Sequence, residues 1–167
     1  LLSQSTLQIA VFTPRAFMVV LLYLCGQLTG MEKYTLVKNI HVFGVEVKSF
    51  PPGIQQAFEK LIAMLPEGED RPCFGLSRMK EDGDILYIAA IEQKEKDEAA
   101  KNQCSEYVIE KGDYLTETLT GWMSQLDAIS GCFDRLMKHE EAASETWCIE
   151  WYKSNREMMC MLKSVDK

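Results

Sequence analysis

A chain of 167 residues is long enough to bury one full core and too short for several large domains. Its 47% hydrophobic content, with only 10 Gly and 5 Pro, is that of a globular protein and excludes a disordered or fibrous one. A net charge of -7 without a Lys/Arg cluster argues against direct binding of nucleic acid, because phosphate neutralisation needs grouped cations.

The chain opens on an apolar stretch, A-F-M-V-V-L-L-Y-L-C from Ala16 to Cys25. It is about half the ~20 residues a membrane span needs, so no membrane partner is expected. One Arg and no Lys precede it and no small-residue cleavage site follows, which speaks against a secretory signal. Met31 stands as a plausible initiator where strand-like patterning begins, so residues 1–30 read as an apolar extension and 31–167 as the domain.

Tyr34 to Val47 is rich in β-branched and aromatic residues and predicts one half-buried strand, stopped by Pro51, Pro52 and Gly53. Ile54, Ala57, Phe58, Leu61, Ile62 and Leu65 then recur at helical spacing, with Pro66 and Gly68 as the stop. C-F-G-L-S-R-M, the turn E-D-G-D and I-L-Y-I-A-A-I predict a hairpin. The mixed charges of Glu92 to Gln103, with an i,i+4 pair at Asp97 and Lys101, predict a solvated linker.

The same order then returns. Strands fit Glu106 to Glu110 and Tyr114 to Leu119, a helix fits about Gln125 to His139, and a last hairpin fits W-C-I-E-W-Y, K-S-N-R, E-M-M-C-M-L. I-Q-Q-A-F-E-K-L at Ile54 matches I-S-G-C-F-D-R-L at Ile129, 75 positions on, and C-F-G-L at Cys73 meets C-I-E-W at Cys148 at the same spacing. Two elements sharing one spacing without a gap indicate a tandem duplication: module one at 31–91, linker at 92–103, module two at 104–167. The predicted fold class is α+β, with an antiparallel sheet built from two strand-helix-hairpin modules.

The six cysteines form no C-x-x-C pair and sit mostly in apolar runs, which points to a reducing cytoplasm. His41 and His139, the chain's two histidines, stand near no cysteine or carboxylate cluster of ligand spacing, so no metal, cofactor or Cys-His nucleophile is expected.

One carboxylate stands inside an apolar strand. Alternation in W-C-I-E-W-Y puts Trp147, Ile149 and Trp151 on one face, expected beneath the helices, and Cys148, Glu150 and Tyr152 on the other. A two-residue S-N turn would set Met159 opposite Glu150 and Met161 opposite Cys148, adding polarizable side chains to that face. The first-copy counterparts Cys73, Gly75 and Ser77 are small, as if one half supplied room and the other charge. From the residues alone the carboxylate either pairs with Lys153 or Arg156, reaches solvent, or meets a ligand. Phe58, Phe133, Trp147 and Trp151 read as core. Trp122, at the entry to the second helix, reads as a cap contact or a pocket wall.

V-F-G-V near Phe43, C-F-G-L near Gly75, L-Y-I-A-A-I around Tyr87, K-G-D-Y ending in Tyr114 and I-E-W-Y with Glu150 and Tyr152, in this order over Tyr34 to Val165, resemble the GyrI-like effector-binding domains of AraC-type and MerR-type transcription regulators. The resemblance implies two modules about a pseudo-twofold, an antiparallel sheet around a ligand cleft and two helices on its outer face. It also implies a cleft for bulky, often cationic aromatic compounds, with Glu150 meeting the charge and Tyr152, Tyr114, Tyr87 and Phe74 as walls, beside Gly75, Trp122, Cys148, Met159 and Met161. No helix-turn-helix segment stands beside the module, so the expectation is a stand-alone binding protein, without catalytic residues, partnered by a small hydrophobic or cationic ligand. A second copy of the chain or a separate regulator would be its protein partner. Some stand-alone relatives hydrolyse cyclopropane-containing DNA-alkylating compounds, and others inhibit gyrase; these are the alternatives the resemblance carries.

Overall fold

The structure, a computed structural model, describes residues 30–66 and 70–165. The expected apolar extension lies outside the described residues. Among the described residues eight strands and three helices follow in the order β1 (Glu32–Leu36), β2 (Ile40–Glu46), α1 (Ile54–Ile62), β3 (Cys73–Met79), β4 (Ile85–Glu92), α2 (Glu98–Lys101), β5 (Ser105–Ile109), β6 (Gly112–Thr120), α3 (Leu126–Met137), β7 (Cys148–Tyr152) and β8 (Glu157–Lys163). The single strand expected over Tyr34 to Val47 is in fact two, parted by a break at Val37 to Asn39 where Val37 is 84% exposed.

That break determines the architecture. All eight strands form one antiparallel sheet in the order β1-β6-β8-β7-β3-β4-β2-β5. β1 lies at one edge, yet only three residues separate it from β2, which neighbours the opposite edge. Likewise Glu110 and Lys111 alone carry the chain from the β5 edge to β6. A link reaches at most ~3.6 Å per residue, so the edges must curl toward each other into a half-barrel. Asn39 ties the two links together, its side-chain oxygen accepting the Lys111 N–H at 2.8 Å.

The curl divides the sheet into two buried faces. The inner one is filled by Leu36, Val42, Phe74, Leu76, Ile88 and Ile149 among others, with Trp147, Trp151, Met159 and Met161 packed beside them. The outer one carries the helices as two separate clusters: α1 lays Leu61 against Phe43, Tyr87 and Ile91, and α3 lays Cys132, Phe133 and Leu136 against Leu115, Met158 and Leu162. The helices are therefore on the outer face as expected, but Trp147, Ile149 and Trp151 are not beneath them. These bulky residues fill the inside of the curl.

The segment between the modules is also more than a solvated tether. Lys101 pairs with Asp97 at 3.1 Å in the open, as its spacing predicts, while Ala99 of the short α2 is buried and Glu98 is clamped by the buried Arg71. Arg71 donates to both Glu98 oxygens at 2.9 and 2.7 Å, and Glu98 also accepts the backbone N–H groups of Lys94 and Glu95. The Arg71 hydrogen bonds, outweighing the cost of burial, hold the Glu98 carboxyl down at about 2. A depressed folded pKa contributes stability above the ordinary glutamate range, and that contribution is lost as pH falls toward about 2. Glu98→Gln is thus expected to lower stability in urea at neutral pH, and its gap to the wild type should close progressively under acid. A gap that persists undiminished down to about pH 2 would contradict the assignment.

Candidate functional site

β3 and β7 lie side by side at the middle of the sheet, with Gly75 directly opposite Glu150, Cys73 opposite Tyr152 and Ser77 opposite Cys148. Gly75 and Glu150 are equivalent positions of the two copies, so the pseudo-twofold axis passes between them. Of this pair the second copy supplies the side chain and the first supplies none.

On β4, Tyr87 stands opposite Ser77 and reaches diagonally across Gly75 to the carboxylate. Its hydroxyl donates to Glu150 Oε2 at 2.9 Å, and the Tyr152 hydroxyl donates to the same oxygen. The two phenol oxygens are 3.0 Å apart, closing a triangle. The space above Gly75 is therefore not free for a ligand: a Cβ there would lie 2.1 Å from the Tyr87 hydroxyl. The duplication made room for a ring of the protein's own.

Glu150 is 7% exposed. Among the described residues no Lys or Arg pairs with it, and Lys153, the expected neighbour, lies over the Trp151 ring on the other face with Nζ 2.8 Å from the centroid. Burial raises the Glu150 pKa, opposed by the two phenol hydrogen bonds. Tyr87 and Tyr152 are both pushed up, first by burial and then by the Glu150 charge, so both remain protonated donors. Cys148 is raised to about 11 by the same two causes, leaving it a thiol rather than a nucleophile.

Rings close over this floor from both modules. Phe50, in the loop before α1, stacks on Tyr87 at 5.2 Å; Phe58 of α1 meets Tyr152 edge-on at 5.3 Å; Trp122, in the 3₁₀ turn before α3, tilts against Tyr152 at 5.0 Å. Trp122 is held there by its indole N–H, which donates to the Ser154 carbonyl at 3.0 Å. The helices thus flank a seam over β3 and β7 whose base is Glu150.

Of the residues singled out from sequence, the structure gathers Glu150, Tyr152, Tyr87, Gly75, Trp122 and Cys148. It separates Phe74, Tyr114, Met159 and Met161, all packed inside the curl. The methionines moved because the β7–β8 turn is one residue longer than the S-N turn, so Cys160 rather than Met159 faces Glu150, and Leu162 rather than Met161 faces Cys148. Tyr114 donates to the Glu110 carbonyl at 2.6 Å, far from the triangle's strands, and Phe74 packs on Trp151 at 5.4 Å. Sequence reasoning missed Phe50 and assigned Phe58 wholly to core. Phe50, a loop aromatic 39% exposed, is marked only by its stacking on Tyr87, which no local sequence pattern carries.

Among the described residues no three His, Cys, Asp or Glu side chains could hold a metal ion, and no helix is long and apolar enough to cross a membrane. No family model and no curated protein matches the chain. Its fold is similar to solved structures, among them an integron cassette protein from the mobile metagenome of Vibrio cholerae, at 16% identity and TM-score 0.58, covering 83% of this chain and 97% of that one. A hydrolase from Listeria innocua matches at 14% identity and TM-score 0.57, covering 89% and 98%. SAV2435, solved bound to tetraphenylphosphonium, matches at 13% identity and TM-score 0.59, covering 82% and 94%. At such identities the likeness is one of fold.

Proposed function

We propose that this chain binds hydrophobic, cationic aromatic molecules in the seam between α1 and α3, with Glu150 meeting the positive charge. The observation that carries this reading is a carboxylate buried at the pseudo-twofold, held by two phenols and matched by no cation among the described residues. A buried anion without a counter-charge is costly, and a ligand cation removes that cost. Tyr87, Tyr152, Phe50, Phe58 and Trp122 offer ring faces to the same cation, each worth ~0.5 to 2 kcal/mol. The tetraphenylphosphonium bound to the fold neighbour SAV2435 supports this ligand class. Calorimetric titration of the full chain with tetraphenylphosphonium tests it; no saturable binding would remove the proposal.

Entry requires the covering rings to give way, and Phe50 is the least enclosed of them. Phe50→Ala is expected to speed association by several-fold to about tenfold, since stacking on Tyr87 is worth ~0.5 to 1.5 kcal/mol. Stopped-flow tryptophan fluorescence measures this, and an unchanged rate would show that Phe50 does not gate the seam.

A second reading, hydrolysis of reactive cyclopropane-containing compounds, rests on the raised pKa of Glu150, the direction a general acid needs near neutral pH. The hydrolase among the fold neighbours supports it. Incubation of the purified chain with such a compound decides it, and product no faster than background would end this reading.

A further inference from the structure

The duplication supplies its own control for how a helix packs on this sheet. Where α1 meets its strands the first copy has Ala57, Ala89 and Val45. The helix match and the strand pairing make Cys132, Cys160 and Glu117 the equivalents of these three in the second copy, and Arg135 the equivalent of Lys60. Apolar residues therefore suffice for this contact, and a buried ion pair is no more stabilising than apolar residues of similar volume. Yet Glu117 is buried here, and Arg135 clasps it with bonds of 2.6 and 3.0 Å.

The four polar side chains form one connected group. Arg135 Nη2, which donates to Glu117, also donates to Cys132 Sγ at 3.2 Å. Glu117 stands directly opposite Cys160 on β8, and the Cys160 and Cys132 thiols hydrogen-bond to each other. Cys73 and Cys104, by contrast, donate to backbone carbonyls at 3.5 and 3.4 Å. The contact with Cys160 holds the Cys132 pKa below that of an ordinary thiol against burial and the Glu117 carboxylate, and the Arg135 charge acts in the same direction as Cys160. That contact and burial push Cys160 up, as does the charge of Glu150 opposite it on β7. One thiol is prepared as a nucleophile and the other as its protonated partner. Only small residues meet at this contact in either copy, which lets the helix approach the strand closely, as the short span of a disulfide needs.

We propose that Cys132 and Cys160 are a redox-active pair that a hydroperoxide converts into a disulfide tying α3 to β8, with Arg135 holding Cys132 as the attacking thiolate. The Cys132 sulfur attacks a peroxide oxygen, the O–O bond breaks, the departing oxygen leaves as water once protonated, and Cys132 becomes a sulfenic acid. The Cys160 sulfur then attacks that sulfur; the S–S bond forms, the S–O bond breaks and a second water leaves. Two thiols and one hydrogen peroxide thus give one disulfide and two waters. Both thiols are fully buried, and the Arg135 side chain, 46% exposed yet ending on Cys132, is the surface group whose displacement admits so small an oxidant. The inference stands apart from the cation reading of the seam.

Treating the full chain with hydrogen peroxide tests this, with the product read by intact mass and by peptide mapping without reduction. The chain should lose two hydrogens, and the Cys132 and Cys160 peptides should be found joined. Cys160→Ser should instead leave a Cys132 sulfenic acid that dimedone traps, while Cys148→Ser should leave the joined peptides unchanged. The pH midpoint of the oxidation rate should move up in Arg135→Gln, since the thiolate loses its cation, and by less in Arg135→Lys; a change of access alone alters the rate without moving the midpoint. No joined peptides, a link to another cysteine, or a midpoint that Arg135→Gln leaves in place would each overturn the proposal.

Discussion

Glu150→Gln is expected to weaken binding of an aromatic cation by about 10- to 100-fold while leaving thermal stability unchanged or raised. A unit charge pair 4 Å apart is worth ~4 kcal/mol at the effective dielectric of partly buried sites, and desolvation returns part of this, so a net loss of about 1.4 to 2.7 kcal/mol is reasonable. The stability side follows from the partners. A glutamine carbonyl still accepts from Tyr87 and Tyr152, so neither phenol loses its acceptor, and the buried charge is gone. The pH dependence gives an independent check. Burial raises the folded pKa of Glu150, so in the window between the ordinary glutamate value and that raised one the unfolded chain binds fewer protons than the folded chain. Stability contributed by this group therefore falls as pH rises through that window. Affinity for the cation does the opposite, rising as the carboxylate ionises. Both trends should flatten in Glu150→Gln. Calorimetric titration and thermal unfolding across pH measure them, and undiminished affinity in the variant would defeat the assignment of Glu150 as the ligand's counter-charge.

The sequence carried the alternation of β7, the duplication and the placing of Glu150 and Tyr152 on one face, because these depend on local periodicity and on residue matches at one spacing. It did not carry the side of the sheet on which the helices sit. In an ordinary one-sided sheet the bulkier face lies under the helices, but here both faces are buried, and the tryptophans of β7 face the inside of the curl. Apolar patterning cannot tell two buried faces apart. The deciding feature was the three-residue break at Val37 to Asn39, which β-propensity read through as one continuous strand. The methionines were misplaced for a different reason. Register in a hairpin is set by turn length, and one extra residue in the turn moves every partner to the other face. Phe50 was illegible because its contact with Tyr87 joins a loop to a strand 37 positions away.

Gly75→Ala should be the most damaging single methyl that can be added to the sheet's centre. The new Cβ would lie 2.1 Å from the Tyr87 hydroxyl, 2.7 Å from its Cζ and 3.0 Å from Glu150 Oε2. Tyr87 is fully buried, stacked under Phe50 and packed in the α1 cluster, so its ring has no free direction in which to retreat. Overpacking of this kind costs about 1 to 3 kcal/mol, and displacing the phenol from a buried carboxylate adds about 1 to 3 more. The backbone itself raises no objection, since glycine here sits in an ordinary strand rather than at a positive φ. The cost is therefore assigned to the crossing of Tyr87 over Gly75, and a second substitution isolates it. Tyr87→Phe in the wild-type background should be destabilising, because Glu150 loses a donor. In the Gly75→Ala background the same change removes the hydroxyl that the methyl strikes, so the double variant should be more stable than the two single losses summed. The Cζ contact remains, so recovery should be partial. Urea unfolding of the four proteins measures the coupling; strictly additive losses would mean that the glycine is not kept small by the tyrosine that crosses it.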